Sequence, residues 1–211
     1  MAIKAVLFDM DGVLADTESF YNHRRAAYLA EVLPSYEGPW DFSGSNDVAI
    51  WETIVPYDVD LRARLHEGYN RYRAEHTEDY RVLGNPEAPI VLRALKEAKL
   101  LVGIASSSEP AMVERMMEET RLTEFVDAHV SGCEVKCHKP APDVYLRCMQ
   151  LLGVRPEECL VVEDSPTGIV AGVASGAYVV ALSQYVAAGT DQSAAHAHIE
   201  TLGELVVLLG L

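Results

Sequence analysis

The sequence has little positive charge. Its 211 residues include 17 Lys and Arg against 32 Asp and Glu, and the formal net charge is −15 at pH 7. Proteins that bind nucleic acid or an anionic membrane surface need clustered positive charge to neutralise phosphate groups. The composition therefore argues against both kinds of partner, whereas a small anionic ligand needs only one local positive site.

Long hydrophobic runs are also missing. No apolar run in the sequence approaches the ~20 residues that a membrane-spanning helix needs. Asp9 stands where a secretory signal peptide would have its apolar segment. We therefore expect a cytoplasmic protein that makes no contact with membranes.

Cysteine is scarce as well. Cys133, Cys137, Cys148 and Cys159 include no CxxC pair, and we expect all four thiols to stay reduced. The spacing of Cys133, Cys137 and His138 suggests a zinc site, but a second ligand pair at the spacing of known zinc modules is missing. The sequence assigns these three side chains no role.

The most informative stretch lies near the N-terminus. An apolar run over residues 3–7 hardly alternates with polar residues, which predicts a buried strand of a parallel sheet. Asp9 and Asp11 follow two residues apart, so both carboxylates would face one side. They would repel each other unless a cation binds or one is protonated. Gly12 permits a sharp turn, and an ordinary polar turn is the alternative interpretation.

The second half of the chain alternates between strand and helix patterns. Predicted strands cover residues 100–105, 125–130, 160–162 and 178–182, and predicted helices cover residues 90–99, 109–120, 142–152, 166–174 and 199–209. This alternation predicts right-handed crossovers between parallel strands. The expected fold class is therefore α/β, with a doubly wound parallel sheet as its core.

Residues 17–87 have a different composition. Both tryptophans and most of the tyrosines fall there, helical patterns around 18–33, 46–54 and 61–80 are interrupted by prolines, and no strand pattern is convincing. We interpret this region as a small α-helical domain inserted into a core domain that comprises residues 1–16 and 88–211.

Polar residues follow the predicted strands where each of them ends. Ligands of parallel α/β sheets bind at the carboxyl ends of the strands. The residues there are Asp9 and Asp11, then Ser106, Ser107 and Ser108, then Lys139, and finally Glu163 and Asp164. Each has an ordinary explanation as a helix cap or a solvated side chain.

Taken together, these strand ends suit a phosphoryl group. Ser106 and Lys139 can hold its oxygen atoms, and a hard cation can bridge it to Asp9 and Asp164. Oxygen-only ligands beside a phosphate indicate Mg²⁺.

Four motifs give the sequence a family resemblance. FDMDGVLADT, ASSS, KPAPDVY and VVEDSPTGI occur in this order and at spacings that resemble the haloacid dehalogenase (HAD) superfamily of phosphotransferases. The sequence is more closely similar to the branch with a helical cap after the first strand, which holds β-phosphoglucomutase-like and phosphoglycolate-phosphatase-like enzymes. The resemblance implies a HAD-like, Rossmannoid core with a small α-helical cap domain.

The resemblance also implies roles for the core motifs. Asp9 would be the nucleophile that forms an aspartyl-phosphate, and Asp11 would be the general acid and base. Ser106, Ser107 and Lys139 would bind the phosphoryl group and stabilise its charge in the transition state.

The same resemblance implies a metal site. Mg²⁺ would be held by Asp9, by the backbone carbonyl of Asp11 and by Asp164, with Glu163 close by or ligating. The metal would keep Asp9 ionised, while Asp11 would need a raised pKa for its role as an acid.

The candidate substrate residues of the cap are Tyr21, Arg24, Arg25 and Asn46. Tyr21 stands where the β-phosphoglucomutases carry a histidine. The segment at residues 44–47 lacks the arginine with which those mutases grip a distal phosphate, and Arg24 or Arg25 would have to replace it. These differences favour a phosphatase over a mutase.

The expected function is that of a Mg²⁺-dependent phosphatase or phosphotransferase acting on a small phosphorylated metabolite such as a sugar phosphate, and we expect a monomer. The alternative is a β-phosphoglucomutase that interconverts β-glucose 1-phosphate and glucose 6-phosphate. A non-enzymatic phospho-acceptor or metabolite-binding module is a second alternative. Asp11 beside Asp9 argues against that module, because a neighbouring acid and base would shorten the life of an acyl phosphate.

Overall fold

We describe the chain from a computed structural model, which covers residues 3–40, 42 and 47–211. The chain forms two compact units. The core unit comprises Met1–Asp16 and Asp79–Leu211, and the helical unit comprises Thr17–Glu78.

The core unit is built on one parallel six-stranded sheet with the order β3-β2-β1-β4-β5-β6. The strands are β1 (Ala5–Phe8), β2 (Leu101–Ser106), β3 (Ala128–Ser131), β4 (Cys159–Glu163), β5 (Tyr178–Leu182) and β6 (Ala197–Ile199). Phe8, the last residue of β1, pairs with Ile104 on one side and Val162 on the other. The residues that follow β1 and β4 therefore meet at one edge of the sheet.

Helices cover both faces of the sheet. The helices of the core unit are α4 (Tyr80–Leu83), α5 (Ala88–Glu97), α6 (Pro110–Glu119), α7 (Asp143–Leu152), α8 (Pro166–Ala174) and α9 (Glu204–Leu209). Val6 and Phe8 of β1 belong to a buried cluster with residues of α5, α6 and α9. Ala5 and Leu7 belong to a second cluster with residues of α7 and α8. Because successive residues of β1 face opposite layers, the strand must be apolar throughout. The α/β prediction is confirmed.

The helical unit contains α1 (Glu18–Val32), α2 (Asp47–Ile54) and α3 (Val59–Glu75), and the part of it that the structure describes has no strand. Its core is aromatic: the ring of Trp51 contacts those of Tyr28 and Tyr69, with centroids 6.4 Å and 5.5 Å away, and the two tyrosine rings contact each other. The hydroxyl of Tyr28 donates a hydrogen bond of 2.9 Å to the backbone carbonyl of Leu65. The aromatic residues that are concentrated in this part of the sequence therefore form much of the core of the helical unit.

Residues 79–87 lie in the core unit, although the sequence pattern assigned them to the inserted domain. Asp79 accepts a hydrogen bond from the backbone N–H of Arg81, which starts α4 after α3 has ended at Glu75. Tyr80 is completely buried in the first core cluster.

The last helix is shorter than predicted. Ala197–Ile199 forms β6, which pairs with β5, and α9 begins at Glu204 instead of residue 199. Ile199 is buried in the core as part of that strand. A three-residue strand with a histidine at its centre carries too little alternation to be told from the start of a helix.

The segment of chain that leaves the core unit and the segment that returns to it run side by side within the core unit. Ala15 and Gly84 form an antiparallel bridge, and the N–H of Asp16 donates to the carbonyl of Leu83 over 2.8 Å. The side chain of Asn85 donates to the carbonyl of Val13 over 2.9 Å. The loop after β1 is therefore hydrogen-bonded to the returning chain.

Gly103 gives a test of the packing between β2 and α7. A Cβ atom at this position would lie 2.6 Å from Sγ of Cys148 and 3.2 Å from Cδ1 of Leu152. We expect Gly103→Ala to destabilise the protein by about 1–3 kcal/mol. Thermal unfolding measures the effect, since each kcal/mol corresponds to about 2–4 °C at this chain size.

Cys148→Ala supplies the control for this prediction, because it removes the atom that the new methyl group would meet. The double variant should be more stable than the sum of the two single effects allows. Simple additivity would show that Gly103 does not set the distance between β2 and α7.

Candidate active site

Three carboxylates come together at the carboxyl ends of β1 and β4. Asp9 follows β1, Glu163 ends β4 and Asp164 follows it, and one oxygen atom of each lies within 4.8 Å of the others. All three residues are buried, with exposed fractions of 7%, 0% and 8%. The N–H of Asp9 also donates to the carbonyl of Val162 over 3.0 Å, which fixes the two strand ends relative to each other.

Lys139 is the counter-ion of this cluster. Its Nζ lies 2.6 Å from Oδ1 of Asp9 and 2.7 Å from Oε1 of Glu163, and its side chain is only 6% exposed. The same Nζ lies 4.8 Å from the ring centroid of Tyr145. One ammonium group therefore contacts two of the three carboxylates, and the cluster has more acidic groups than basic ones.

Glu163 accepts hydrogen bonds at both carboxylate oxygens. Oε1 accepts from Lys139 and from the hydroxyl of Tyr145, each over 2.7 Å. Oε2 accepts from the backbone N–H groups of Asp164 and Ser165 over 3.0 and 3.1 Å. In this arrangement Glu163 orients Lys139 and the start of α8. Sequence reasoning missed Tyr145, although it belongs to the KPAPDVY motif.

Gly12 makes room for Asp164. Its φ angle is +77°, a left-handed conformation that glycine adopts without penalty. A Cβ atom at this position would overlap the carboxylate of Asp164. The glycine of the sequence motif is therefore needed both for the turn after Asp11 and for the close approach of the β4 end.

The carboxylate of Asp11 is held by a serine that was not among the predicted site residues. Oγ of Ser108 donates to Oδ2 of Asp11 over 2.6 Å, and the N–H of Ser108 donates to Oγ of Ser106 over 3.0 Å. The hydroxyl of Ser131, at the end of β3, donates to the carbonyl of Ser108 over 2.6 Å. Ser106 is completely buried and Ser107 is exposed. The serine run was the only sequence signal for Ser108.

Burial and charge act against each other in this cluster. Burial raises the pKa of Asp9 to about 7, although the ammonium of Lys139 opposes the shift. Burial disfavours the charged form of Lys139, but Asp9 and Glu163 outweigh it and hold the pKa of Lys139 well above its usual value. Burial also disfavours the ionised form of Glu163, but the positive charge of Lys139 outweighs this effect, and the pKa of Glu163 is lowered. In the absence of a further cation, Asp9 is therefore harder to ionise than Glu163.

The donor set fits a divalent metal ion. Asp9, Glu163 and Asp164 offer only oxygen atoms, and their combined charge exceeds that of Lys139. Hard divalent cations prefer such ligands. The side chain of Asp11 is not a member of this acidic cluster in the part of the chain that the structure describes.

The candidate substrate residues Tyr21, Arg24 and Arg25 all lie on α1 in the helical unit. Arg24 forms an ion pair of 2.9 Å with Glu78, and its Cζ lies 5.1 Å from the ring centroid of Tyr21. Arg25 is buried without an ion pair among the described residues. Asn46 lies outside the described residues.

Cysteines form no metal site in the described chain. Cys133 and Cys137 are exposed free thiols, and Cys148 and Cys159 are buried ones. Neither exposed cysteine, nor His138, joins a group of three or more potential ligands among the described residues. In the same residues no helix is both long and apolar enough for a membrane span.

Comparison with known proteins gives consistent matches. A family model described as haloacid dehalogenase-like hydrolase matches residues 3–176. Fructose-1-phosphate phosphatase YqaB of Escherichia coli (strain K12) is 34% identical over 180 residues, which cover 81% of this chain and 92% of that protein. Hexitol phosphatase B of the same strain is 31% identical over 179 residues, which cover 82% and 80%. The crystal structure of a HAD family hydrolase from Deinococcus radiodurans R1, with bound phosphate and sodium, has a TM-score of 0.74 and 27% identity, and the match covers 99% of this chain and 95% of that one.

The raised pKa of Asp9 predicts an effect on stability in protein stripped of metal by a chelator. Because the pKa of Asp9 in the folded protein exceeds its ordinary value of 3.8, the native state binds more protons than the unfolded state between about pH 4 and pH 7, and stability falls as the pH rises towards about 7. We expect Asp9→Asn to raise the melting temperature by about 2–4 °C at about pH 8 and to change it little at about pH 5.

The matched control is Glu97→Gln, which removes one negative charge from an exposed site on α5. Thermal unfolding of the three proteins at both pH values gives the comparison. If Asp9→Asn lowers the melting temperature at the higher pH, the pair with Lys139 outweighs the cost of burying Asp9.

Gly12→Ala tests the close approach to Asp164. The new methyl group would displace that carboxylate and strain the turn. We expect divalent-metal affinity to fall by about tenfold or more, measured by calorimetric titration, with the far-UV circular dichroism spectrum unchanged. Metal affinity equal to that of the unmodified protein would show that Asp164 has no part in the metal site.

Proposed function

We propose that this chain, which belongs to the haloacid dehalogenase-like hydrolase family, is a phosphatase of sugar phosphates. Several of its relatives are named phosphatases, and the chain is a phosphomonoester hydrolase of that family. The observation that carries the proposal is the buried contact of 2.6 Å between Asp9 and Lys139, beside the carboxylate of Asp164. A nucleophile, a cation for the phosphoryl oxygens and a metal-binding carboxylate are thus adjacent.

In the proposed first step an oxygen of Asp9 attacks the phosphorus atom of the substrate. A bond forms between this oxygen and phosphorus, and the bond between phosphorus and the sugar oxygen breaks. Asp11 gives its proton to the leaving sugar oxygen. The hydrogen bond from Ser108 to Oδ2 of Asp11 orients the acid for this transfer.

The second step releases phosphate. Asp11, now ionised, takes a proton from a water molecule, whose oxygen attacks the phosphorus of the aspartyl-phosphate. The bond from phosphorus to Asp9 breaks, and the free carboxylate and inorganic phosphate result. The same residue therefore serves as acid and then as base.

Lys139, Ser106 and Ser107 are the proposed phosphate-binding residues. Nζ of Lys139 is held at Asp9 by Glu163 and Tyr145, so it is already placed for the charge that spreads over the phosphoryl oxygens. Ser106 and Ser107 lie at the neighbouring end of β2.

Mg²⁺ is the proposed metal ion, held by the side chains of Asp9 and Asp164 and the backbone carbonyl of Asp11, with Glu163 as a further predicted ligand. When bound, it would supply positive charge that favours the ionised form of Asp9 and balances the phosphoryl oxygens. The excess negative charge of the cluster supports this proposal.

The sugar part of the proposal rests on two named relatives, fructose-1-phosphate phosphatase and hexitol phosphatase B. We propose that residues of the helical unit select the substrate, with Tyr21 and Arg25 as the described candidates. The cap function of this unit is proposed from the family resemblance.

The test is phosphate release from a panel of sugar phosphates and hexitol phosphates with Mg²⁺ or with a chelator. We expect turnover of fructose 1-phosphate or a hexitol phosphate that requires the metal. Asp9→Asn should lower kcat by at least ~10³-fold, and Lys139→Ala by about 10²–10³-fold. Glu97→Gln, on an exposed helix surface, should leave kcat unchanged.

Two outcomes would contradict the proposal. Formation of glucose 6-phosphate from β-glucose 1-phosphate with a bisphosphate primer, without free phosphate, would establish a mutase. Binding of sugar phosphates without any turnover, equally strong in Asp9→Asn, would establish a binding protein.

A further inference from the structure

The side chain of Gln192 enters the core unit from the connection between β5 and β6. Its neighbours Asp191 and Ser193 are exposed, whereas Gln192 is only 9% exposed. A polar side chain that is buried between two exposed neighbours needs hydrogen-bond partners inside the protein. Those partners lie at the edge of the sheet that carries the candidate active site, although Gln192 belongs to none of the four sequence motifs.

The amide group of Gln192 bridges two strand ends. Its Nε2 donates to the backbone carbonyl of Asp164 over 2.6 Å and to that of Leu182 over 2.9 Å. Glu163 and Ala181 form the last pair between β4 and β5, and Asp164 and Leu182 are the residues that follow this pair on the two strands' chains. The two N–H bonds of one amide therefore link β4 to β5 one residue beyond their ladder.

The orientation of this amide is determined by its partners. Both partners are carbonyl oxygens, which accept hydrogen bonds and cannot donate them. If the amide were flipped, its oxygen would face two further oxygens. The backbone carbonyl of Gln192 in turn accepts from the N–H of Ala195 over 3.1 Å and lies 3.1 Å from Nε2 of His198. Gln192 is thus held both at its backbone and at its side chain.

The backbone of Asp164 is hydrogen-bonded to a side chain on each side. Its N–H donates to Oε2 of Glu163 over 3.0 Å, and its carbonyl accepts from Gln192. That carbonyl follows the end of β4 and precedes Ser165, whose own carbonyl accepts the first hydrogen bond of α8, from Ile169. It therefore lies outside the regular hydrogen bonds of both elements, and a buried carbonyl needs a donor.

We propose that Gln192 is a positioning residue for Asp164 in the metal site. This role rests on the proposed function, in which Asp164 is a ligand of Mg²⁺. A shift of the Asp164 backbone would move its carboxylate relative to that of Asp9, with which it forms the acidic cluster. The hydrogen bonds of Gln192 oppose such a shift, because they join this backbone to the end of β5. Loss of a residue that orients a metal ligand typically lowers metal affinity by about 10–100-fold.

The test is calorimetric titration of the metal-free protein with Mg²⁺, which requires no turnover. Gln192→Met keeps the length of the side chain and removes both N–H groups. We expect the dissociation constant for Mg²⁺ to rise about tenfold or more. The melting temperature should fall as well, because two buried carbonyls lose their donor. In activity assays the Mg²⁺ concentration for half-maximal rate should rise by the same factor as the dissociation constant.

The matched control is Ser175→Ala, which also removes a buried hydrogen bond from a side chain to a backbone carbonyl. Ser175 is 5% exposed, and its Oγ donates to the carbonyl of Gly172 over 2.6 Å. It follows α8 at the end opposite to Asp164. We expect Ser175→Ala to lower the melting temperature without changing the affinity for Mg²⁺. If Gln192→Met also keeps the Mg²⁺ affinity of the unmodified protein, its role is only structural and the proposal is overturned.

A double-variant comparison tests whether Gln192 acts through Asp164. In the Asp164→Asn protein, Gln192→Met should weaken Mg²⁺ binding no further. Two losses of affinity that simply add would overturn the proposal, because Gln192 would then act on another part of the site. Gln192→Asn, whose side chain is one methylene shorter, replaces Gln192→Met in both experiments if that variant does not fold.

Failure of the proposed function would give a different result. Normal Mg²⁺ binding without turnover of any sugar phosphate would contradict the phosphatase proposal, and the titrations would still decide the role of Gln192. An unmodified protein that binds no Mg²⁺ would contradict both the metal site and the role of Gln192 in it.

Discussion

The contact of Lys139 with two buried carboxylates is the interaction on which the candidate active site depends. Asp9, Glu163 and Asp164 could not remain ionised so close together in a buried site without a cation. Loss of Lys139 would leave Asp9 and Glu163 without a counter-ion, and stranding buried charge in this way typically costs about 3–5 kcal/mol. Tyr145 and the N-terminus of α8 complete the hydrogen bonds of Glu163, so the helices after β3 and β4 are oriented by the same cluster.

The fold and the gathering of polar residues at one sheet edge could be predicted because both follow from local signals. Apolar strands alternating with helices require parallel crossovers, and parallel strands place their carboxyl ends together. Asp9 and Lys139 are 130 positions apart in the sequence, yet the strand-end rule placed them at the same edge, and their side chains lie 2.6 Å apart. The chemical roles of these residues stay proposals.

Features that depend on tertiary pairing could not be predicted. The strand Ala197–Ile199 is defined by its neighbour β5, and three residues carry no usable period. Ser108 differs from the serines before it only by its position over Asp11. Arg24 and Arg25 are identical in type and adjacent in sequence, yet among the described residues only Arg24 has a carboxylate partner, Glu78.

The bridge between Ala15 and Gly84 has a consequence for how this chain can change over evolution. Because the chain re-enters the core unit beside the point at which it left, the core unit holds the two ends of the inserted segment next to each other. The segment Thr17–Glu78 can therefore be lengthened, shortened or exchanged without shifting the register of any strand. Such an arrangement lets one catalytic scaffold acquire new selectivity by replacement of a single continuous stretch of gene.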